Sequence, residues 1–207
     1  RVRLDLGHLA GAVTDAEVVP ERYEKLAQLH GTSPSLDRRW NNGYEFFINI
    51  GHHSVAPDFR DVAWQGTADP HVPVEDAGQF GFDGVTPLWI STKYPERATD
   101  IPLATWEEAQ LIIAEAEGGQ RAEDIIDDLH DRVGLPDYDP DTHTTPGPTG
   151  DEILNHVIQE RSRELFQEGG HRMNDMLRHG IPFFSGNDPT GQPYGETTCF
   201  PLPTLEQ

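Results

Sequence analysis

The chain has almost no means of crosslinking itself and few lysines. Cys199 is its only cysteine, so no intrachain disulfide forms and cysteine usage does not reveal a redox compartment. Lys25 and Lys93 are the only lysines, and 15 Lys and Arg stand against 36 Asp and Glu, a net charge of −21. A surface of that sign repels nucleic-acid phosphates and anionic lipid heads, which excludes both as expected partners. No apolar run approaches the ~20 residues of a membrane-spanning helix. The first residues, Arg1-Val2-Arg3-Leu4-Asp5-Leu6, have no signal-peptide core. They open directly into an apolar periodic pattern, and the chain is therefore expected to lack an N-terminal piece of its fold.

Glycine and proline are plentiful, at 20 and 17 in 207 residues. Both interrupt regular elements, so short helices and strands joined by many loops are expected. Val2, Leu4, Leu6, Leu9, Ala10 and Val13 suit a short amphipathic helix, and Pro20 is placed to open a second one running to about Leu29. Residues 1–35 then read as a helical hairpin.

Residues 36–104 change character. Tyr44-Glu45-Phe46-Phe47-Ile48-Asn49-Ile50 predicts a short strand. Gly or Pro recurs every few residues from Gly51 to Pro95, which precludes long helices and predicts an irregular excursion with small β hairpins.

Helices return at Thr105-Trp106-Glu107-Glu108, a capping box in which the Thr hydroxyl accepts from the third helical N–H and Glu108 reaches back. Ala109, Ile112, Ile113 and Ala116 line one face, Gly118-Gly119 ends the helix, and a second runs from about Gln120 to Val133. The hairpin has about the length of one tetratricopeptide unit, although its sequence lacks that consensus. Thr149-Gly150-Asp151-Glu152 reads as a second capping box, opening a helix with Ile153, Leu154, Val157, Ile158, Leu165 and Phe166 on one stripe. Gly169-Gly170 breaks it, a shorter helix ends near Gly180, and residues 181–207 form an extended tail.

Several groups of residues invite chemistry. Arg161, Glu164, Glu168, Arg172, Asp175 and Arg178 carry both signs, with Arg161 and Glu164, Arg172 and Asp175, and Asp175 and Arg178 at i,i+3 spacing. They read as a charge network across the Gly169-Gly170 bend rather than as a catalytic carboxylate pair. His52-His53 with His71, and His171 with His179, suggest a metal site but match no zinc motif. Asp137-Tyr138-Asp139-Pro140-Asp141 resembles the start of a calcium loop but lacks the Gly at position six and the Glu at position twelve. A weak structural calcium site there is the one exception to an expectation of no cofactor. Cys199 reads as a small buried residue rather than a nucleophile.

The binding expectation rests on aromatics. Sugar rings present apolar C–H faces that stack on flat rings, while amides and guanidiniums bond the hydroxyls. Trp40, Tyr44, Trp64 and Trp89 all fall in the excursion, with Asn41, Asn42 and Arg60 close in sequence. These seven are the candidate ligand-binding residues. The competing reading makes each Trp an anchor for a region with few other ways to build a core. Trp106, at a capped helix start, is expected to pack.

Three motifs carry a family resemblance. Glu108-Ala109-Gln110-Leu111-Ile112-Ile113-Ala114-Glu115-Ala116 is the first. Glu160-Arg161-Ser162-Arg163-Glu164-Leu165-Phe166-Gln167-Glu168-Gly169, followed by Arg172, Asp175 and Arg178, is the second. Cys199-Phe200-Pro201-Leu202-Pro203-Thr204-Leu205-Glu206 is the third. In this order they resemble the C-terminal half to two-thirds of SusD/RagB-like proteins, with Arg39-Trp40-Asn41-Asn42-Gly43 and Asp69-Pro70-His71-Val72-Pro73 similar to the mid-region of some members.

The resemblance implies a mainly α fold, a single SusD-like domain over 1–207 without its N-terminal part. In it, residues 105–180 form a tetratricopeptide-like helical scaffold and 36–104 the ligand-facing excursion. It further implies a non-enzymatic, lipid-anchored protein on the outer face of the outer membrane. Such a protein binds an oligosaccharide or peptide nutrient for a TonB-dependent, SusC-like transporter. The alternatives are a tetratricopeptide-like interaction scaffold without a small ligand, and a glycan hydrolase built on a carboxylate pair.

Overall fold

A computed structural model describes residues 1–29, 40–139 and 144–195. Cys199, the closing motif at 199–206, Asp141 and residues 31–35 lie outside these residues.

Six α-helices and three two-stranded antiparallel sheets are present among the described residues. The elements are α1 (Val2–Asp5), α2 (Leu9–Glu17), β1 (Glu24–Ala27), β2 (Ala63–Trp64), β3 (Thr67–Ala68), β4 (Val74–Phe80), β5 (Pro87–Ser91), β6 (Ile101–Thr105), α3 (Trp106–Glu117), α4 (Gly119–Val133), α5 (Glu152–Glu164) and α6 (His171–His179). None of the helices is long and apolar enough to cross a membrane. The fold is thus helix-rich with small sheets, as expected.

The core is built around α3, which packs on α2, α4 and α5. Its first turn is capped as the sequence predicts, with Thr105 Oγ1 accepting from the Glu108 amide at 3.2 Å. Leu111 and Ala114 are buried together with Ala109, Ile112 and Ile113, so α3 is apolar on more than the single expected stripe, as a central helix must be. Gly118 and Gly119, the first residue of α4, both take positive φ at the junction of α3 and α4, and Gly134 ends α4 in a left-handed cap. α4 contributes Ala122, Ile125, Ile126 and Leu129, and α5 contributes Val157.

Three local expectations are corrected. Residues 24–27 form β1, paired with β6, instead of continuing a helix from Pro20. The Tyr23 amide donates to the Pro20 carbonyl and Arg22 takes φ 62°, a turn that ends any helix there, and the free backbone groups then pair with Ile101–Thr105. Residues 1–35 are therefore not a plain helical hairpin.

Tyr44–Asn49 is a π-helical turn, not a strand. Asn41 starts it, its side-chain oxygen accepting from the Tyr44 amide and its carbonyl from the Glu45 amide. The cap of α5 is Asp151 rather than Thr149. Asp151 Oδ1 accepts from the Leu154 amide at 3.2 Å while the Thr149 hydroxyl donates to the Asp151 carbonyl.

The excursion is fastened to the helices by charge. His71 lies between Asp69 and Glu164, Asp69 also pairs with Arg163, and Lys93 pairs with Glu168 at 2.6 Å. Behind these contacts lies a second apolar cluster of Val55, Val72 and Phe166 with Phe47, Phe59, Val62, Val74 and Trp89.

Candidate functional site

A concave region forms where the loop after the π-helical turn meets the β4–β5 hairpin and the α5–α6 bend. Gly51 makes the turn possible. Its φ is +69°, and a Cβ there would meet Leu88 at 3.2 Å. The amides of His52 and His53 both donate to the Phe46 carbonyl, which stands the two rings beside Phe46, at 6.2 Å and 5.1 Å between centroids. His52 also meets Phe82 edge to face at 4.4 Å. Ser54 pins the loop to the hairpin, donating to the Pro87 carbonyl and accepting from the Trp89 amide.

Two clefts result. The first, of about 360 Å³, is lined by His52, His53, Ser54, Phe82, Asp83 and Thr86. The Thr86 hydroxyl, with the amides of Val85 and Thr86, donates to Asp83 and holds its carboxyl below its ordinary pKa. The second, of about 390 Å³, is lined by Phe47, Val55, Phe59, Phe166, Gln167 and Arg172 among others, and meets the first at Ser54. Gln167 sits there with φ 60°, inside a bend where Gly169 and Gly170 are also left-handed. Flat apolar surfaces edged by a few polar groups are the arrangement that holds a sugar ring or an extended organic ligand.

The seven candidate residues do not form one site. Trp64 is corrected to a core residue. It is 5% exposed, its Nε1–H donates to the Pro136 carbonyl, and its ring packs against those of His130 and His156. Asn41 is likewise structural, fully buried, with Nδ2 donating to the Thr99 carbonyl at 2.9 Å. Trp40 is half-buried and donates to Asn42 Oδ1, with Arg97 over its ring. Trp40, Asn41, Asn42 and Tyr44 form a separate group around the start of the π-helical turn. Trp89 and Arg60 do meet, the guanidinium lying 5.2 Å from the ring centroid, beside the second cleft.

Sequence reasoning missed Phe47, Phe59 and Phe82 as site residues, read Arg172 only as part of the charge network, and read His52 and His53 only as metal candidates. The signal available was the local density of Phe and His around Gly51.

Titratable groups cluster elsewhere, under the excursion. His130, His156 and Glu160 are all buried, and their potential ligand atoms lie within 4.8 Å of one another. Burial would raise the Glu160 carboxyl, but Arg163 and His130 outweigh it and hold it at about 2. Arg163 bonds Glu160 directly, so a guanidinium already supplies the positive charge that a metal would bring. The same holds for Glu115, Asp175 and His179, where Arg161 bonds both carboxylates.

The histidines paired in the metal reading part company. His171 faces Glu108, His179 faces Glu115, and His71 lies between carboxylates away from the His52 and His53 rings. In the calcium-like stretch, Tyr138 turns inward, its ring stacked on His156 at 4.2 Å and its amide bonded to Asp127.

Comparison with known proteins bears on this architecture. No curated protein matches the chain. A crystal structure of a SusD superfamily protein from Parabacteroides distasonis ATCC 8503 matches with a TM-score of 0.59 at 15% identity, covering 97% of this chain and 55% of that one. This chain therefore spans about half the length of that protein, and the likeness is one of fold. Residues 108–198 match the SusD family. By its shared fold and by the matching segment from α3 to beyond α6, the chain is similar to SusD/RagB-like proteins.

Proposed function

We propose that this chain is the ligand-facing part of a cell-surface nutrient-binding protein. In this reading it is lipid-anchored at the outer membrane through a segment outside the chain. It captures an oligosaccharide and hands it to a TonB-dependent, SusC-like transporter. The helical hairpin α3–α4 and the pair α5–α6 serve as a tetratricopeptide-like scaffold, and the excursion supplies the ligand surface. The protein binds and does not cleave.

The observation that carries this reading is the pair of clefts meeting at Ser54, walled by His52, His53, Phe82, Phe47 and Phe59. Loops presented on a rigid scaffold are where recognition concentrates, and the ionic contacts of Asp69, His71 and Lys93 to α5 and the bend after it hold this one in place. Burying an aromatic face against a sugar ring contributes on the order of 1 kcal/mol per contact, so several walls are needed for useful affinity.

The test is a binding screen of the full chain against labelled oligosaccharides, with each ligand recovered and sized afterwards. An intact bound ligand supports capture. A shortened one overturns the non-enzymatic reading, and binding of peptides alone moves the ligand class away from saccharides.

A further inference from the structure

Arg60 and Arg172 stand apart from every other described arginine. Each of the rest is in an ion pair, as a chain with 36 carboxylates makes almost unavoidable. Arg172 makes no side-chain hydrogen bond or ion pair among the described residues. Arg60 spends only its Nε, which donates to the Val55 carbonyl at 2.8 Å. Both are half-buried, and both line one cleft of about 390 Å³, together with Phe59, Ser162, Arg163 and a single carboxylate, Asp58. Arg163 is already satisfied by Asp69 and Glu160. Phe59, Ser162 and Arg172 also line the second cleft described above, so the two spaces share a wall.

From this we infer that the site takes an acidic oligosaccharide, with a carboxylate or sulfate group of the ligand seated between Arg60 and Arg172. The inference rests on the proposed capture of an oligosaccharide and names its charge class. Arg60 is prepared for the task. The Trp89 face and the Val55 carbonyl fix its plane, leaving the two terminal nitrogens free to form the parallel pair of bonds that an oxyanion accepts.

The strongly acidic chain opposes an anionic ligand at a distance. That repulsion is screened beyond about 8 Å at physiological salt, and inside the cleft two free guanidiniums face one carboxylate. A surface built for neutral ligands would have had its arginines neutralised from the abundant carboxylates, as happened at the other positions.

The experiment is calorimetric titration of the full chain with acidic oligosaccharides, carboxylated and sulfated, each paired with its neutral methyl-ester or desulfated counterpart. Arg60→Gln, Arg172→Gln and Arg172→Lys are carried alongside, with their melting temperatures checked. The acidic member should bind tenfold or more tighter, and the preference should fall by about tenfold in each Gln variant and less in Arg172→Lys. Whichever anion gives the preference identifies the group recognised. Equal binding of acidic and neutral members, or a preference unchanged in both Gln variants, overturns the charge assignment and leaves oligosaccharide capture standing. Binding of no saccharide of either kind overturns both.

Discussion

Arg161 of α5 meets Asp175 of α6 at 2.9 Å, with the guanidinium side chain 3% exposed and the carboxylate side chain 0%. The same guanidinium bonds Glu115 of α3 at 2.5 Å and the Leu111 carbonyl at 3.2 Å. One side chain thus joins three helices at the bend where Gly169 and Gly170 turn the chain. Removing one carboxylate from such a buried network leaves Arg161 and Arg178 sharing Glu115 with a positive charge uncompensated, at a cost of about 3–5 kcal/mol. Asp175→Ala is therefore expected to lower the unfolding free energy by that amount in urea titration, far more than loss of the exposed pair Arg3–Asp15 would.

This pair also marks how far the sequence could be read. Arg161, Glu164, Glu168, Arg172, Asp175 and Arg178 were visible as a charge network at the bend, and one exists there, with Arg172 left outside it. Its pairings differ, because helix spacing suggests neighbours on one helix while the fold joins Arg161 to α6 and Glu164 to His71 of the excursion. Helices α3 to α6 were legible because glycines and capping residues act locally. The excursion was not, because its pairings join residues far apart: β1 needs β6, and the Tyr44–Asn49 turn is set by Asn41. Arg60 and Trp89 were both named from composition, yet only the fold brings them together, and it sends Trp64 to the core.

Trp64 gives a second test. Its ring touches His130 and His156, with Arg163 over it at 5.4 Å, and its N–H satisfies the Pro136 carbonyl. Trp64→Ala should cost about 3–5 kcal/mol in stability. Trp64→Phe keeps most of the ring and loses the hydrogen bond, so about 1–2 kcal/mol is expected. Full stability in Trp64→Ala, measured by denaturant unfolding, would contradict the packing described.

His71 makes stability depend on pH. Burial pushes its imidazolium toward the neutral form, but Asp69 at 3.0 Å and Glu164 at 2.8 Å outweigh this and raise its pKa to about 10. In the unfolded chain the group titrates near 6.5. A raised folded pKa means the stabilisation is complete below the unfolded value and is lost as pH rises toward the folded one. The unfolding free energy should therefore fall between pH 6.5 and about 10, and His71→Gln should remove that slope. Parallel pH profiles for the two proteins would mean that His71 is not the group responsible.

Phe82 separates binding from folding. Its side chain is 77% exposed at the tip of the β4–β5 hairpin, meets the His52 ring, and walls the first cleft. Little of the core depends on it, so Phe82→Ala should change the unfolding free energy by no more than about 0.5 kcal/mol. An exposed ring that close to Asp83 and the two histidines has few structural reasons to be there, and its face is available to a ligand. Saccharide affinity should fall about tenfold in this variant, one stacking contact's worth. Phe59→Ala should lower affinity and stability together, since Phe59 also packs on Phe166 at 5.1 Å. If Phe82→Ala binds as tightly as the parent while Phe59→Ala does not, the ligand occupies the arginine side of the groove and leaves the first cleft empty.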